Sequence, residues 1–298
     1  MLNIVGKRKI WFALSGTLVA LAVIAIIAFG FQESAEFKGG TLWNFSVPVN
    51  TPSIADVQTE FAGILNVKDA TVNFDPTNQS FLVRFGTVSE TDHAAYLSAL
   101  KSKWASLNEL SFESIGPSIG AALLKNAIIA IILVLVGISL YIAFAFRKAS
   151  RPISSWKYGW ITLLTLFHDV AIPAGLFAFL GYLNNIQIDS NFIVALLVVM
   201  GFSVHDTIVV FDRVRENLLN HRGKEPFKKI VNDSVNQTLA RSINTSLTLI
   251  LVLLALYFTG PVDLKYFVLT LLVGVTTGIY SSIFIASPAL VLVSPKEA

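Results

Sequence analysis

Six stretches of the chain are almost continuously apolar and long enough to cross a bilayer. A spanning helix needs about 20 largely apolar residues to cover roughly 30 Å of hydrocarbon. Ile10 to Phe31, Ala121 to Phe146, Tyr158 to Tyr182, Ser190 to Phe211, Leu239 to Phe258 and Tyr266 to Val293 meet that length. They predict a polytopic α-helical membrane protein with six transmembrane helices. The segment between the first two spans follows a different rhythm. Thr41 to Ser46 alternates like a strand, as do Ala70 to Phe74, Ser80 to Phe85 and Leu107 to Ile115. Ser53 to Ala62 starts like a helix, with Ser53 as N-cap, Asp56 three residues on, and Ile54, Val57 and Phe61 behind them. Glu90 to Ala105 reads as a second helix, and the residues from Asp75 to Asn78 as a turn. The order β-α-β-β-α-β predicts a small α+β ferredoxin-like domain. That fold hosts many functions and names none. The expected division is residues 1–31 (N-terminus and first span), 32–120 (the small domain) and 121–298 (a five-helix transmembrane bundle).

Composition supports the membrane reading. The 298 residues are 54% hydrophobic and 14% charged, with a mean hydropathy of +0.67; soluble domains carry about a quarter charged residues. A net charge of +3 gives no support to nucleic-acid binding. With no cysteine there is no thiolate metal site and no cysteine nucleophile, and the four histidines are scattered without metal-ligand spacing. No nucleotide loop or nucleophile elbow is present, so neither a cofactor nor an enzymatic activity is expected.

Charge then orients the spans. Lys7, Arg8 and Lys9 precede the first span, which reads as a retained anchor. Arg147, Lys148, Arg151 and Lys157 lie between the second and third, and Arg213, Arg215, Arg222, Lys224, Lys228 and Lys229 between the fourth and fifth. The opposite connections are nearly free of basic residues. The positive-inside rule puts both termini in the cytoplasm and residues 32–120 outside.

Charges at membrane depth cost at least about 2.5–3.5 kcal/mol, so they should face a partner or a wet cavity. Asp206 near the end of the fourth span and Arg241 near the start of the fifth should lie at similar depth on antiparallel neighbours. Ser203 lies on the face of Asp206, and Asn244, Thr245 and Thr248 lie on the face of Arg241. This predicts a polar seam between two helices. It is either a static ion pair or a carboxylate that takes up and releases a proton. His168 and Asp169 in the third span, and His205 beside Asp206, are secondary candidates. Adjacent residues on a helix diverge by about 100°, so His168 and Asp169 are not expected to face one partner. Asp263 in a short outer connection reads first as a solvated loop acid. Gly274, Gly278, Ser281 and Ser282 form a small-residue packing face in the sixth span.

The run Val209-Val-Phe-Asp-Arg-Val-Arg-Glu-Asn-Leu218, with Ser203 to Ile208 before it, strongly resembles a signature of the bacterial SecF family. Phe37-Lys-Gly-Gly-Thr41, Phe112-Glu-Ser-Ile-Gly-Pro-Ser-Ile-Gly120, His168-Asp169, Arg241 to Thr248 and Tyr280 to Pro288 fall in the same order as that family's motifs. The resemblance covers essentially the whole chain. Phe202 and His205 stand where many members have Tyr and Asn, and Glu36 where they have Asp. It implies a subunit of the Sec protein-export machinery, of the resistance-nodulation-division superfamily, in the bacterial plasma membrane. Its partners would be a SecD-like subunit, the SecYEG translocon, exported polypeptides and membrane lipid. The resemblance assigns Asp206, Arg241 and Asp263 to a proton relay drawing on the proton-motive force. The alternatives are a structural subunit without a relay and a proton-driven small-molecule efflux transporter of the same superfamily. Six spans and one small domain fit half of a pair better than a complete efflux pump.

Overall fold

The structure is a computed structural model. It describes residues 2–63, 65–67, 70–76, 78–147, 153–221, 225–261 and 264–294. Its helices are α1 (Arg8–Phe29), α2 (Ala35–Lys38), α3 (Ile54–Gly63), α4 (Glu90–Lys103), α5 (Pro117–Ala145), α6 (Ser155–Asn184), α7 (Ser190–His221), α8 (Phe227–Thr259), α9 (Lys265–Ser281) and α10 (Ser287–Val293). A π-helical segment, Ser282–Ala286, joins α9 to α10. The strands are β1 (Gly40–Ser46), β2 (Thr71–Asp75), β3 (Ser80–Phe85) and β4 (Asn108–Ile115). Two compact units result, residues 33–128 and residues 1–32 with 129–298.

In the smaller unit the sheet order is β2-β3-β1-β4, and every neighbouring pair is antiparallel. With α3 and α4 in the two crossovers, this is the ferredoxin-like arrangement. The period of two fixes which side of the sheet is buried. Thr41, Trp43 and Phe45 of the central strand are buried, while Leu42, Asn44 and Ser46 are half-buried. Trp43 pairs with Val83 on one side and Phe112 on the other. Around it Phe45, Phe61, Phe81, Val57 and Leu100 are fully buried. The Trp43 indole meets Phe61, His93 and Phe112 edge-on and donates its N–H to Glu109 Oε2 at 2.9 Å. Buried Glu60 is paired with Lys103 of α4. The residues before β1 meet those that open α5. Gly39 has φ +81°, and a Cβ there would lie 2.7 Å from the Pro117 backbone. That explains why Phe37 to Thr41 and Phe112 to Gly120 stand out together in the sequence.

The helix start read at Ser53 is a reciprocal cap. The Asp56 amide donates to Ser53 Oγ at 3.2 Å, and Asp56 Oδ2 accepts from the Ser53 amide at 2.9 Å and its hydroxyl at 2.7 Å. Ser89 and Asp92 repeat the motif at α4. The Ser53 hydroxyl and amide hold the Asp56 carboxyl below its ordinary value of 3.8. A carboxyl lowered in the folded state stabilises the fold above its unfolded value, and that contribution is lost as pH falls through the folded value. The protection of first-turn α3 amides, relative to unfolded chain at the same pH, should therefore fall in the wild type as pH drops below 3.8. In Asp56→Asn that protection should be low already at neutral pH and lack the acid step.

In the larger unit the six spans divide by burial. Half or more of the most apolar window is buried in α6 (56%), α7 (50%) and the α9–α10 rod (56%), against 11–17% for the rods containing α1, α5 and α8. The first three therefore form the interior, and the others present apolar side chains outward. The small-residue stripe of α9 packs on α7. A Cβ on Gly274 would fall 2.2 Å from Val199, and one on Gly278 would be 3.2 Å from Ser203. Two prolines interrupt the ladders of the interior helices. Pro173 in α6 lacks the amide that would bond the Asp169 carbonyl. Pro288 follows the π segment, where the Ser287 hydroxyl donates to the Ser282 carbonyl at 2.9 Å.

The region between the fourth and fifth spans departs from expectation. Arg213, Arg215, Lys228 and Lys229 lie on helices, because α7 continues to His221 and α8 begins at Phe227. The two extensions hold each other. Asn217 donates to Ser234 Oγ at 2.8 Å and to Gln237 at 2.9 Å, and Arg213 donates to Gln237 at 2.6 Å. Val214, Ile230 and Val231 are buried between them. Asn232 and Asn236, one turn apart on α8, bind the backbone of Leu2, Ile4 and Val5. A hydropathy reading misses this, since it sees only that the segment is polar.

Candidate site within the helical bundle

Asp206 lies on α7, 3% exposed, with Oδ2 lacking any hydrogen-bond partner among the described residues. The side chain beside it is Ser242 of α8. The Ser242 and Ser246 hydroxyls, also buried, have no partner of normal hydrogen-bond geometry. Buried polar atoms are normally satisfied. Asp206 Oδ2 and the Ser242 hydroxyl lie side by side without a bond of normal geometry, and Ser246 adds a third such oxygen one turn further along α8.

The seam expected between Asp206 and Arg241 is not an ion pair within this chain. Arg241 is exposed, as are Asn244, Thr245 and Thr248. The buried polar positions of α8 are Thr238, Ser242 and Ser246. These sit one residue on from the expected stripe, a rotation of about 100° on a helix. The reason is physical. A small serine fits between two tightly packed helices, whereas a guanidinium there would be buried against apolar side chains. Arg241 and its stripe instead face away from the bundle, on a helix whose neighbouring Ile243, Leu247 and Leu251 are also exposed. His205 is exposed too. Asp263 lies outside the described residues.

Ser203 also serves a different carboxylate from the one expected. Its hydroxyl donates to Asp169 Oδ2, which further accepts from Ser281 Oγ at 2.7 Å. Asp169 Oδ1 accepts from His168 Nδ1 at 2.8 Å. The neighbours on α6 bond each other, a pairing that their diverging Cβ directions do not foretell. Both side chains are long enough to curl back across one face. One turn on, Thr207 and Ser282 share a hydrogen bond of 2.8 Å. Spans three, four and six thus meet in a row of buried hydroxyls around one carboxylate. The sequence signal for it was the stripe Gly274, Gly278, Ser281, Ser282, read there as packing only. Among the described residues no cluster of His, Asp or Glu suits a metal ion.

The fold and these sites define a polytopic membrane protein that carries buried ionisable groups and a small ferredoxin-like domain between its first two spans. Residues 95–296 match the family described as protein export membrane protein SecD/SecF, C-terminal. The chain is 41% identical to the protein translocase subunit SecF of Thermobaculum terrenum, over 100% of this chain and 95% of that one. It is 38% identical to the SecF subunit of Anaerolinea thermophila, over 98% of this chain and 94% of that one. Among solved structures it is similar to SecDF from Thermus thermophilus, a translocon-associated membrane protein, with a TM-score of 0.81 and 34% identity. That match covers 98% of this chain and 38% of the longer one. The chain belongs to the SecD/SecF family of protein export membrane proteins.

Proposed function

We propose that the chain is the SecF-like subunit of a bacterial protein-translocase accessory complex, promoting export across the plasma membrane with the proton-motive force and catalysing no covalent reaction. The observation that carries the coupling is Asp206, a buried carboxylate beside the Ser242 hydroxyl in an apolar bundle. The basic clusters put both termini in the cytoplasm and residues 32–120 outside. On that orientation Asp263 lies at the outer end of the relay. The 1–31, 32–120 and 121–298 division then separates an anchor, an outer domain that meets the exported polypeptide, and a proton-carrying bundle.

The partner is a SecD-like subunit, because a relative carries this chain's counterpart inside a longer SecDF chain. Translocon association is in the name of that relative's structure, and SecYEG is the translocon we assign. The exposed polar stripe of α8 is the surface toward the SecD-like subunit. Arg241 faces out of the chain at a depth where a lipid-exposed charge is costly, so its carboxylate partner belongs to the neighbouring subunit. Arg241→Gln should therefore leave this chain's own thermal stability unchanged while lowering proton-dependent export to the level of a strain lacking the chain. Wild-type export in cells carrying Arg241→Gln would overturn the assignment of Arg241.

The function itself is tested by deletion and complementation. Export of a secreted reporter is measured in cells with and without the chain, before and after a protonophore collapses the proton-motive force. The chain should raise export only while the force is present. An equal gain with the force collapsed would leave a structural subunit, and a change in drug sensitivity without a change in export would favour efflux.

A further inference from the structure

A second carboxylate in the bundle has surroundings unlike those of Asp206. Asp169 is fully buried and accepts hydrogen bonds from three side chains on three spans, His168 on α6, Ser203 on α7 and Ser281 on α9. We propose that Asp169 and His168 form a second proton-binding site of this chain, loaded through His168 Nε2. The proposal deepens the proton-coupled reading given above, and its test is separable from the test of that reading.

The hydrogen-bond inventory carries the first part of the argument. The ionised Asp169 accepts from all three side chains. The Ser281 hydroxyl also lies 3.1 Å from the Gly278 carbonyl, a second acceptor for its single hydrogen. When Asp169 is neutral, its proton sits on Oδ1 and donates to the bare His168 Nδ1, while Ser203 and Ser281 still donate to Oδ2. Both charge states are therefore satisfied without moving a helix. A static strut needs only one.

The second part is the way in. His168 is 5% exposed, and its Nε2 has no partner among the described residues. The ring lines a cavity of about 370 Å3 whose walls include Phe12 and Ser15 of α1, Leu164 and Phe167 of α6, and Ala289 of α10. Nε2 itself is buried, so loading it requires the ring or its neighbours to move. With His168 Nδ1–H on Asp169, Nε2 is a bare acceptor. Once it is uncovered, Nε2 takes a proton from water and the Nδ1 proton passes to Asp169 Oδ1. The imidazole ends neutral with its hydrogen on Nε2, and the cluster goes from negative to neutral. Reversal of the same steps returns the proton to water.

The remaining surroundings leave the site free to respond. From α9 it faces Ser281 and Tyr280, whose ring stacks on His168 and whose hydroxyl donates to the Trp11 carbonyl at 3.2 Å. From α7 it faces Ser203, with Asp206 one turn further on. Residues 282–293 carry no titratable side chain, and the basic residues of the first span, Lys7, Arg8 and Lys9, lie at its start. Among the described residues the ion-pair contact of Asp169 is His168 alone. The helices on either side are locally broken, α6 by Pro173 and the sixth span by its π turn, which is where a change of charge finds a deformable backbone.

The test is infrared titration of carboxyl protonation in the complex with its SecD-like partner, reconstituted in proteoliposomes. A protonated-carboxyl band should grow on acidification, persist in Asp206→Asn, and vanish in Asp169→Asn. In Ser281→Ala, which keeps the carboxylate, the band should shift in frequency. In His168→Gln its midpoint pH should change. The proposal is overturned if Asp169→Asn and the wild type give the same titration. If Asp169→Asn fails to insert, an unchanged band in both Ser281→Ala and His168→Gln overturns it. Loss of the force dependence of export leaves these bands in place and sinks only the broader reading.

Discussion

Asparagine at position 206 is expected to leave the protein inserted and assembled while reducing export to the level of a strain without the chain. The substitution is nearly isosteric, so α7 and α8 keep their packing. Removing a buried charge also removes a desolvation cost, so the folded bundle gains rather than loses stability. What disappears is the ability to bind and release a proton. One proton crossing 100 mV supplies about 2.3 kcal/mol. By Boltzmann weighting that shifts a two-state equilibrium by about fiftyfold, which bounds the loss per proton. Reporter export into inverted membrane vesicles, with partner binding checked by co-purification, measures this. Asp206→Asn vesicles that respond to an imposed proton gradient like the wild type would remove Asp206 from the coupling.

The largest stability effect should come from Trp43→Ala. The indole is fully buried at the centre of β1 and contacts both layers of the small domain. Truncating a buried Trp costs about 3–5 kcal/mol. Domains are stable by only about 5–15 kcal/mol, so this is a large share of the total. The loss includes the hydrogen bond to Glu109, which would keep His93 as a partner at 2.7 Å. Trp43→Phe retains most of the ring contacts and drops only the donor, so its loss should be smaller. Hydrogen exchange of β1 and β3 in the intact chain ranks the three proteins. Protection in Trp43→Ala equal to that of the wild type would contradict the role given to the indole. Exchange in α7 and α9 should be unaffected, since those helices belong to the other unit.

The number of spans and the order of the small domain were legible because each rests on a local rule. A lipid core demands about 20 apolar residues in a row, and a half-buried strand demands alternation. Ser53 and Asp56 announced a helix start that forms through the bonds their spacing implies. The site was less legible, and the errors share one cause. Sequence spacing gives a face of a helix but not what that face meets. Antiparallel spans set Arg241 at the depth of Asp206 but do not say that its face of α8 meets α7. The buried polar positions of α8 are instead Ser242 and Ser246, which hydropathy does not single out. Ser203 was assigned to Asp206 because it lies one turn away on the same helix, yet its bond crosses to Asp169. Contacts of this kind depend on how α6, α7 and α9 dock, and Gly274 and Gly278 were the residues that foretold the close approach without naming the chemistry it permits.

The length of α7 and α8 has a mechanical consequence. They contain 32 and 33 residues, which at about 1.5 Å per residue is close to 50 Å each. Roughly 30 Å would suffice for the hydrocarbon. Each is one unbroken rod, and the surplus lengths are clamped side by side through Asn217, Ser234 and Gln237. A pair of rods joined this way is one stiff body over its surplus length, and the grip of Asn232 and Asn236 on residues 2–5 fastens the start of the chain to it.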